Sequence, residues 1–197
     1  MGRYAILGWG SLIWDLENLA PHVDGDWAIG AGPVLPMEFS YVSRKRRQAL
    51  VACLDAENGV GCVTHAIASM RDAIGGAVAD LARRERAPEA LIGAACLRSD
   101  HAHGASGAVI ERVRARCVAA GWAGAVWTDL SPNFADHLGE AFSIPRATAY
   151  LRTLTDDSLD EAVRYIENTP AATDTPLRRA LAAEDWWQAA AARLGLG

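Results

Sequence analysis

Two short stretches of this chain carry residue types that could do chemistry. The first is Gly8-Trp9-Gly10-Ser11-Leu12-Ile13-Trp14. Its two glycines let the backbone turn sharply and leave N–H groups uncovered by side chains. Successive N–H groups that converge can hold an anion, and Trp9 and Trp14 would wall such a pocket. Taken alone, the same residues also read as a tight strand-to-strand turn with two core tryptophans. The second stretch is Leu81-Ala82-Arg83-Arg84-Glu85-Arg86. It sets a carboxylate at the end of a helix, where the macrodipole disfavours it, among three arginines that offset its charge. A carboxylate held in place can move protons; a solvated surface cluster has the same composition.

Other candidates are weaker on spacing. Gly8-Trp9-Gly10 follows a strand, but Ile13 stands where a dinucleotide loop needs its third glycine. Gly-x-x-x-x-Gly-Lys-Ser/Thr does not occur, and Ser11 is not in a Gly-x-Ser-x-Gly elbow. Asp100, His101 and His103 form a metal-like trio, but on a loop-like stretch with no further ligand cluster beside it, so no metal site is assigned. His65 reads as a half-buried strand residue with its hydrogen bonds met, and Cys53 lacks a neighbour that would activate a thiol. Glu38, on a hairpin strand, is a second carboxylate that could serve.

The elements that must position these groups follow from periodicity. Tyr4–Leu7 reads as the first strand and residues 15–33 as loop. Met37–Val42 and Ala49–Leu54 read as a hairpin whose tip is Ser43-Arg44-Lys45-Arg46-Arg47, a solvated turn, and Cys62–Ala68 as the third strand of that meander. Ser69 caps an expected helix over 70–86, with Met70, Ile74, Ala77, Val78 and Leu81 on its apolar face. Gly93–Leu97 is a short strand. Ser106 and Gly121 bracket a second helix over 107–120. Ala123–Leu130 reads as a buried strand. Beyond it the chain is helical, with Ser158-Leu159-Asp160-Glu161 as a capping box and Trp186-Trp187 on a last helix.

Composition narrows the function classes. Hydrophobic residues make up 51%, enough for a real core. A net charge of −5 argues against a nucleic-acid surface. No run approaches the ~18 apolar residues of a membrane span, and residues 1–14 lack the basic region and cleavage site of a signal peptide. Cys53, Cys62, Cys96 and Cys117 are spread without a C-x-x-C, as expected of buried thiols in a reducing cytoplasm.

The chain resembles the γ-glutamylcyclotransferase-like superfamily, which includes the ChaC-type and AIG2-like proteins. The loop 8–14 is close to that family's Tyr-Gly-Ser-Leu motif with its frequent Ile-Trp continuation. Gly61-Cys62-Val63-Thr64-His65-Ala66 stands where relatives carry a Gly-Val-Ala-Tyr-like strand, and Arg84-Glu85 where they carry the catalytic glutamate. Trp9 replaces the usual Tyr, keeping a ring and losing a hydroxyl. Arg86-Ala87-Pro88-Glu89 replaces the Lys-Gly-Gly-Tyr of the glutathione-specific enzymes.

The resemblance implies an α+β fold, a small mixed β-barrel-like sheet with flanking helices over residues 1–130. Residues 131–197 would be a helical extension packed on that core as one structural unit. It implies release of 5-oxoproline from a γ-glutamyl amine or peptide, with Glu85 as proton shuttle. The substrate would be bound by Trp9, Gly10, Ser11, Leu12 and Trp14, and no cofactor is needed. A non-catalytic module binding a small carboxylate or a partner is the alternative on the same fold. The Ala-rich C-terminal helices would also suit a homodimer interface.

Overall fold

Tyr4–Gly8 (β1) lies near the middle of a six-stranded sheet, and all five of its residues are buried. A strand covered on both faces reads as a continuous apolar run rather than an alternation. The computed structural model describes residues 2–196. In chain order the remaining strands are Val23–Ala28 (β2), Val34–Ser43 (β3), Ala49–Leu54 (β4), Val60–Val63 (β5), His65–Ser69 (β6), Ile92–Cys96 (β7), Ala102–His103 (β8) and Gly124–Thr128 (β9). The helices are Ile74–Glu85 (α1), Gly107–Ala120 (α2), Phe134–Leu138 (α3), Ile144–Thr153 (α4), Asp156–Asn168 (α5), Pro176–Ala182 (α6) and Asp185–Arg193 (α7). The α+β class is observed. The strands form two sheets, and neither closes into a barrel.

The chain divides into two compact units. One joins the segment ending at Leu35 to Val63–Leu130; the other joins Pro36–Cys62 to the chain from Ser131 onward. The units are not divided by a single cut in the chain: the hairpin 36–62 groups with the C-terminal helices.

In the first unit the sheet order is β2-β6-β1-β9-β7-β8. β1 runs antiparallel to β6, with Gly8 opposite His65, and parallel to β9. α1 packs on one face. Its first residue, Ile74, lies against Tyr4, Cys96 and Ala123. Its later residues Leu81 and Ala82 share a core with Ile6, Leu12, Ile92 and Val126. α1 therefore runs alongside β1 and ends where β1 ends. On β9 Trp127 alternates with Val126 to the opposite face. Gly93 makes room for the Trp127 ring: a Cβ there would sit 2.0 Å from it.

Several expectations are corrected. α1 begins at Ile74, not at residue 70, and Met70 is exposed. Ser69 ends β6, and its hydroxyl accepts from the Arg71 N–H. Arg71 instead reaches over the helix start to buried Asp80, at 2.5 and 2.8 Å. Gly76 leaves space for its stem, which a Cβ would crowd at 3.1 Å. The meander strand 62–68 is really β5 and β6, in different sheets, parted at buried Thr64, whose N–H and hydroxyl both donate to the Pro33 carbonyl. Residues 15–33 are not all loop: they hold a 3-10 turn, Glu17–His22, and edge strand β2. Asp24-Gly25-Asp26 looks like a turn because it is a bulge, with Gly25 at φ +75°.

In the second unit the sheet order is β4-β3-β5, and α5 packs on β4. Glu38 on β3 is fully buried. One carboxylate oxygen accepts from the Phe39 N–H at 2.7 Å and the other from the Leu177 N–H at 3.2 Å, so it holds the first turn of α6. The basic hairpin tip is not simply solvated: Arg46 pairs with Glu161 at 2.7 Å and lies over the Tyr165 ring, and Arg47 pairs with Asp157. Ser158–Glu161 is not a capping box but lies inside α5, which begins at Asp156. Trp187 is buried and donates to Glu167 at 2.6 Å, with Trp186 packed edge-on against it. No helix among the described residues is long and apolar enough to cross a membrane.

Candidate functional site

β1 ends at Gly8, where nothing larger fits. A Cβ there would lie 2.7 Å from the Trp27 ring and 2.9 Å from the Ile13 side chain. The chain then turns through Trp9 and Gly10 into a 3-10 turn, Ser11–Ile13. The Gly10 carbonyl accepts from Ile13 N–H at 3.0 Å, and the Ser11 carbonyl from Asp15 N–H at 3.0 Å. Opening such a turn leaves the N–H groups of its first residues without an acceptor inside it. Leu12 is the anchor, buried among Ile6, Leu81 and Ala82. The two tryptophans differ: Trp9 is buried, whereas Trp14 is 41% exposed and presents its ring at the surface.

α1 delivers Glu85 to the same end of the sheet. Its last turn is clamped to the loop by arginines with separate tasks. Arg84, whose side chain is only 5% exposed, donates from Nη2 to the Asp15 carbonyl at 2.6 Å and from Nη1 to Glu85 at 3.3 Å. Arg86 adopts the left-handed conformation that ends the helix and pairs with Glu17 at 3.0 Å. Arg83 turns back to Asp80 at 3.4 Å. One buried guanidinium thus spans two segments about seventy residues apart. Glu85 itself keeps a side chain 22% exposed. A carboxylate that is partly open and held on one side by a fixed cation can meet a small ligand at the mouth of the loop.

The sequence reading missed Arg84 and misread His65. Arg84 stood among three equivalent-looking arginines, and only burial separates it. His65 is not half-buried with its bonds met: it is 1% exposed, its Nδ1 accepts from the Gly30 N–H at 2.8 Å, and its Nε2 has no partner. Burial lowers its pKa from the ordinary 6.5, so the imidazole is neutral near pH 7 and Nε2 carries the proton. Its strand register with Gly8 was legible as a β-pairing rule only once the partner strand was known.

The remaining candidates lie elsewhere. Glu38 belongs to the second unit, with both oxygens engaged by backbone N–H groups. Burial raises its pKa above the ordinary 4.5. Asp100 pairs with Arg114, and the exposed His103 ring approaches the Ala90 carbonyl at 3.1 Å. Among the described residues no three His, Cys, Asp or Glu side chains converge as metal ligands. All four cysteines are buried and free. No family model, no curated protein and no solved structure matches the chain.

Proposed function

We propose that this chain is a γ-glutamylcyclotransferase-like enzyme that releases 5-oxoproline from a γ-glutamyl amine or peptide. The observation that carries the reading is the Arg84 clamp: one buried guanidinium holds both the Asp15 carbonyl of the glycine loop and the Glu85 carboxylate. Two distant stretches that each suggested chemistry meet at one end of one sheet, and that convergence supports a two-part site.

In the reaction the substrate's own α-amine attacks its γ-carbonyl carbon. A C–N bond forms, closing a five-membered ring, and the C–N bond to the leaving amine breaks. The nucleophile belongs to the substrate, so no serine or cysteine need be activated. Glu85 takes the proton that the attacking nitrogen loses and returns it to the leaving nitrogen, help typically worth ~10²–10⁴ in rate. The backbone N–H groups of Gly10, Ser11 and Leu12 would hold the α-carboxylate or the developing oxyanion. Trp9 and Trp14 would line the methylenes. Folding the substrate for ring closure supplies much of the remainder, up to ~7–11 kcal/mol for well-positioned groups.

The test is incubation with a panel of γ-glutamyl amines and peptides, with 5-oxoproline as readout. Product is expected for at least one member, and Glu85→Gln should lower kcat by about 10²–10⁴. Binding of small carboxylates without product across the panel would favour a non-catalytic module on the same site. Product at wild-type rate from Glu85→Gln would reject Glu85 as the shuttle.

A further inference from the structure

His65 and Trp27 present a second problem at the end of β1, which the Glu85 chemistry does not use. Each carries a buried N–H with no acceptor, the His65 Nε2 and the Trp27 Nε1. A buried donor left unpaired is costly, and one in a native fold calls for an explanation. Both side chains are placed beside Gly8 by independent contacts. His65 is its cross-strand partner, and the Trp27 ring lies where a Gly8 Cβ would point. Both orphaned groups are donors, so what completes them is an acceptor.

The imidazole is prepared for that role. The Gly30 N–H occupies Nδ1 and fixes it as an acceptor, with Gly30 held at φ +70°. The neutral ring then has one tautomer, with its proton on Nε2. A second proton on Nδ1 would face the Gly30 N–H head-on. His65 is thus a permanent donor whose direction is set by the sheet register and by one backbone contact. Fixed donors inside a low-dielectric site hold an oxygen more strongly than the same group in water.

We propose that His65 is a ligand-binding residue whose Nε2–H donates to a carboxylate oxygen of the small molecule bound at the end of β1. This rests on the γ-glutamyl reading for the identity of the ligand, the α-carboxylate of the substrate or the carboxylate of its product. The Trp27 ring, only partly buried on edge strand β2, covers Gly8. His65 then complements the loop N–H groups, gripping the substrate while Glu85 handles the proton.

The test uses the full chain labelled with ¹⁵N, titrated with 5-oxoproline and, separately, with glutarate. The His65 Nε2 resonance and its attached proton are expected to shift saturably. His65→Asn keeps an acceptor for Gly30 and lacks the distal donor, so its Kd should rise about tenfold or more. His65→Gln keeps a donor near Nε2 and should bind within about threefold of wild type. A resonance unmoved at saturating ligand, an Asn variant that binds like wild type, or no binding of either probe each overturns the proposal. Wild-type chain that shifts the resonance yet releases no 5-oxoproline defeats the enzyme reading and leaves His65 standing. Turnover with an unchanged KM in His65→Asn does the reverse.

Discussion

Arg84 differs from its neighbours in tertiary placement. Arg83, Arg84 and Arg86 are interchangeable by composition, and nothing in their order says which one is buried. The fork of Arg84 reaches two acceptors at once, a geometry that a lysine's single ammonium does not reproduce. Arg84→Lys is therefore expected to lower kcat for 5-oxoproline release by about tenfold or more, the scale of one lost positioning contact to a charged group. Steady-state kinetics beside urea unfolding would separate this from instability. A lysine variant with wild-type kcat would remove Arg84 from its positioning role. Glu85 becomes a candidate in the sequence only through the family resemblance, since its residues alone read equally as a solvated surface cluster. Arg84 and the orphaned nitrogen of His65 were not legible there, because both depend on which side chains lie across the sheet.

At the scale of elements, legibility follows how local the cause is. α2 has its boundaries in the sequence: the Ser106 hydroxyl accepts from Val109 N–H, and Gly121 ends the helix at φ +69°. α1 does not: the Ser69 hydroxyl is taken by the Arg71 N–H ahead of the helix, and Arg71 pairs with Asp80 inside it. β2 was hidden by its own bulge. Two predictions belong here. Gly8→Ala should destabilise the chain by about 1–3 kcal/mol through overpacking against Trp27 and Ile13; denaturant titration that gives wild-type stability would show that the ring moves freely. Glu38 concerns the start of α6. Its folded pKa is raised by burial above the 4.5 of an ordinary glutamate, so folding favours the protonated form. Its contribution is fully present below pH 4.5 and is lost as pH rises through the raised value. The stability difference between wild type and Glu38→Gln, measured by urea unfolding at several pH values, should therefore grow in favour of wild type as pH falls from neutral. An opposite slope would contradict this account of Glu38.

For the whole molecule, composition was a sound guide to class but not to partition. The apolar content and scattered cysteines foretold a buried core, and the cysteines are in it. Burial pushes the thiol of Cys53 up to about 12 and those of Cys62 and Cys117 to about 11. These three should resist alkylation in the native chain at neutral pH and react on unfolding; mass spectrometry after iodoacetamide treatment would read each site, and rapid native labelling of Cys53 would count against its burial. That the hairpin 36–62 groups with residues beyond 130 was not legible. Hydrophobic periodicity reports that a face is apolar and carries no record of which later segment will cover it.

The second unit is discontinuous in the chain, and this has a consequence during synthesis. Glu38 and Leu177 are bonded across 139 positions. At ribosomal speeds of ~5–20 residues per second, the hairpin leaves the exit tunnel roughly 7–30 s before the helix it holds. For that interval its apolar strands are without their helices, and Arg46 and Arg47 are without Glu161 and Asp157. The four adjacent positive charges at its tip are the sort of gatekeepers that keep a waiting β-segment from joining another copy of itself.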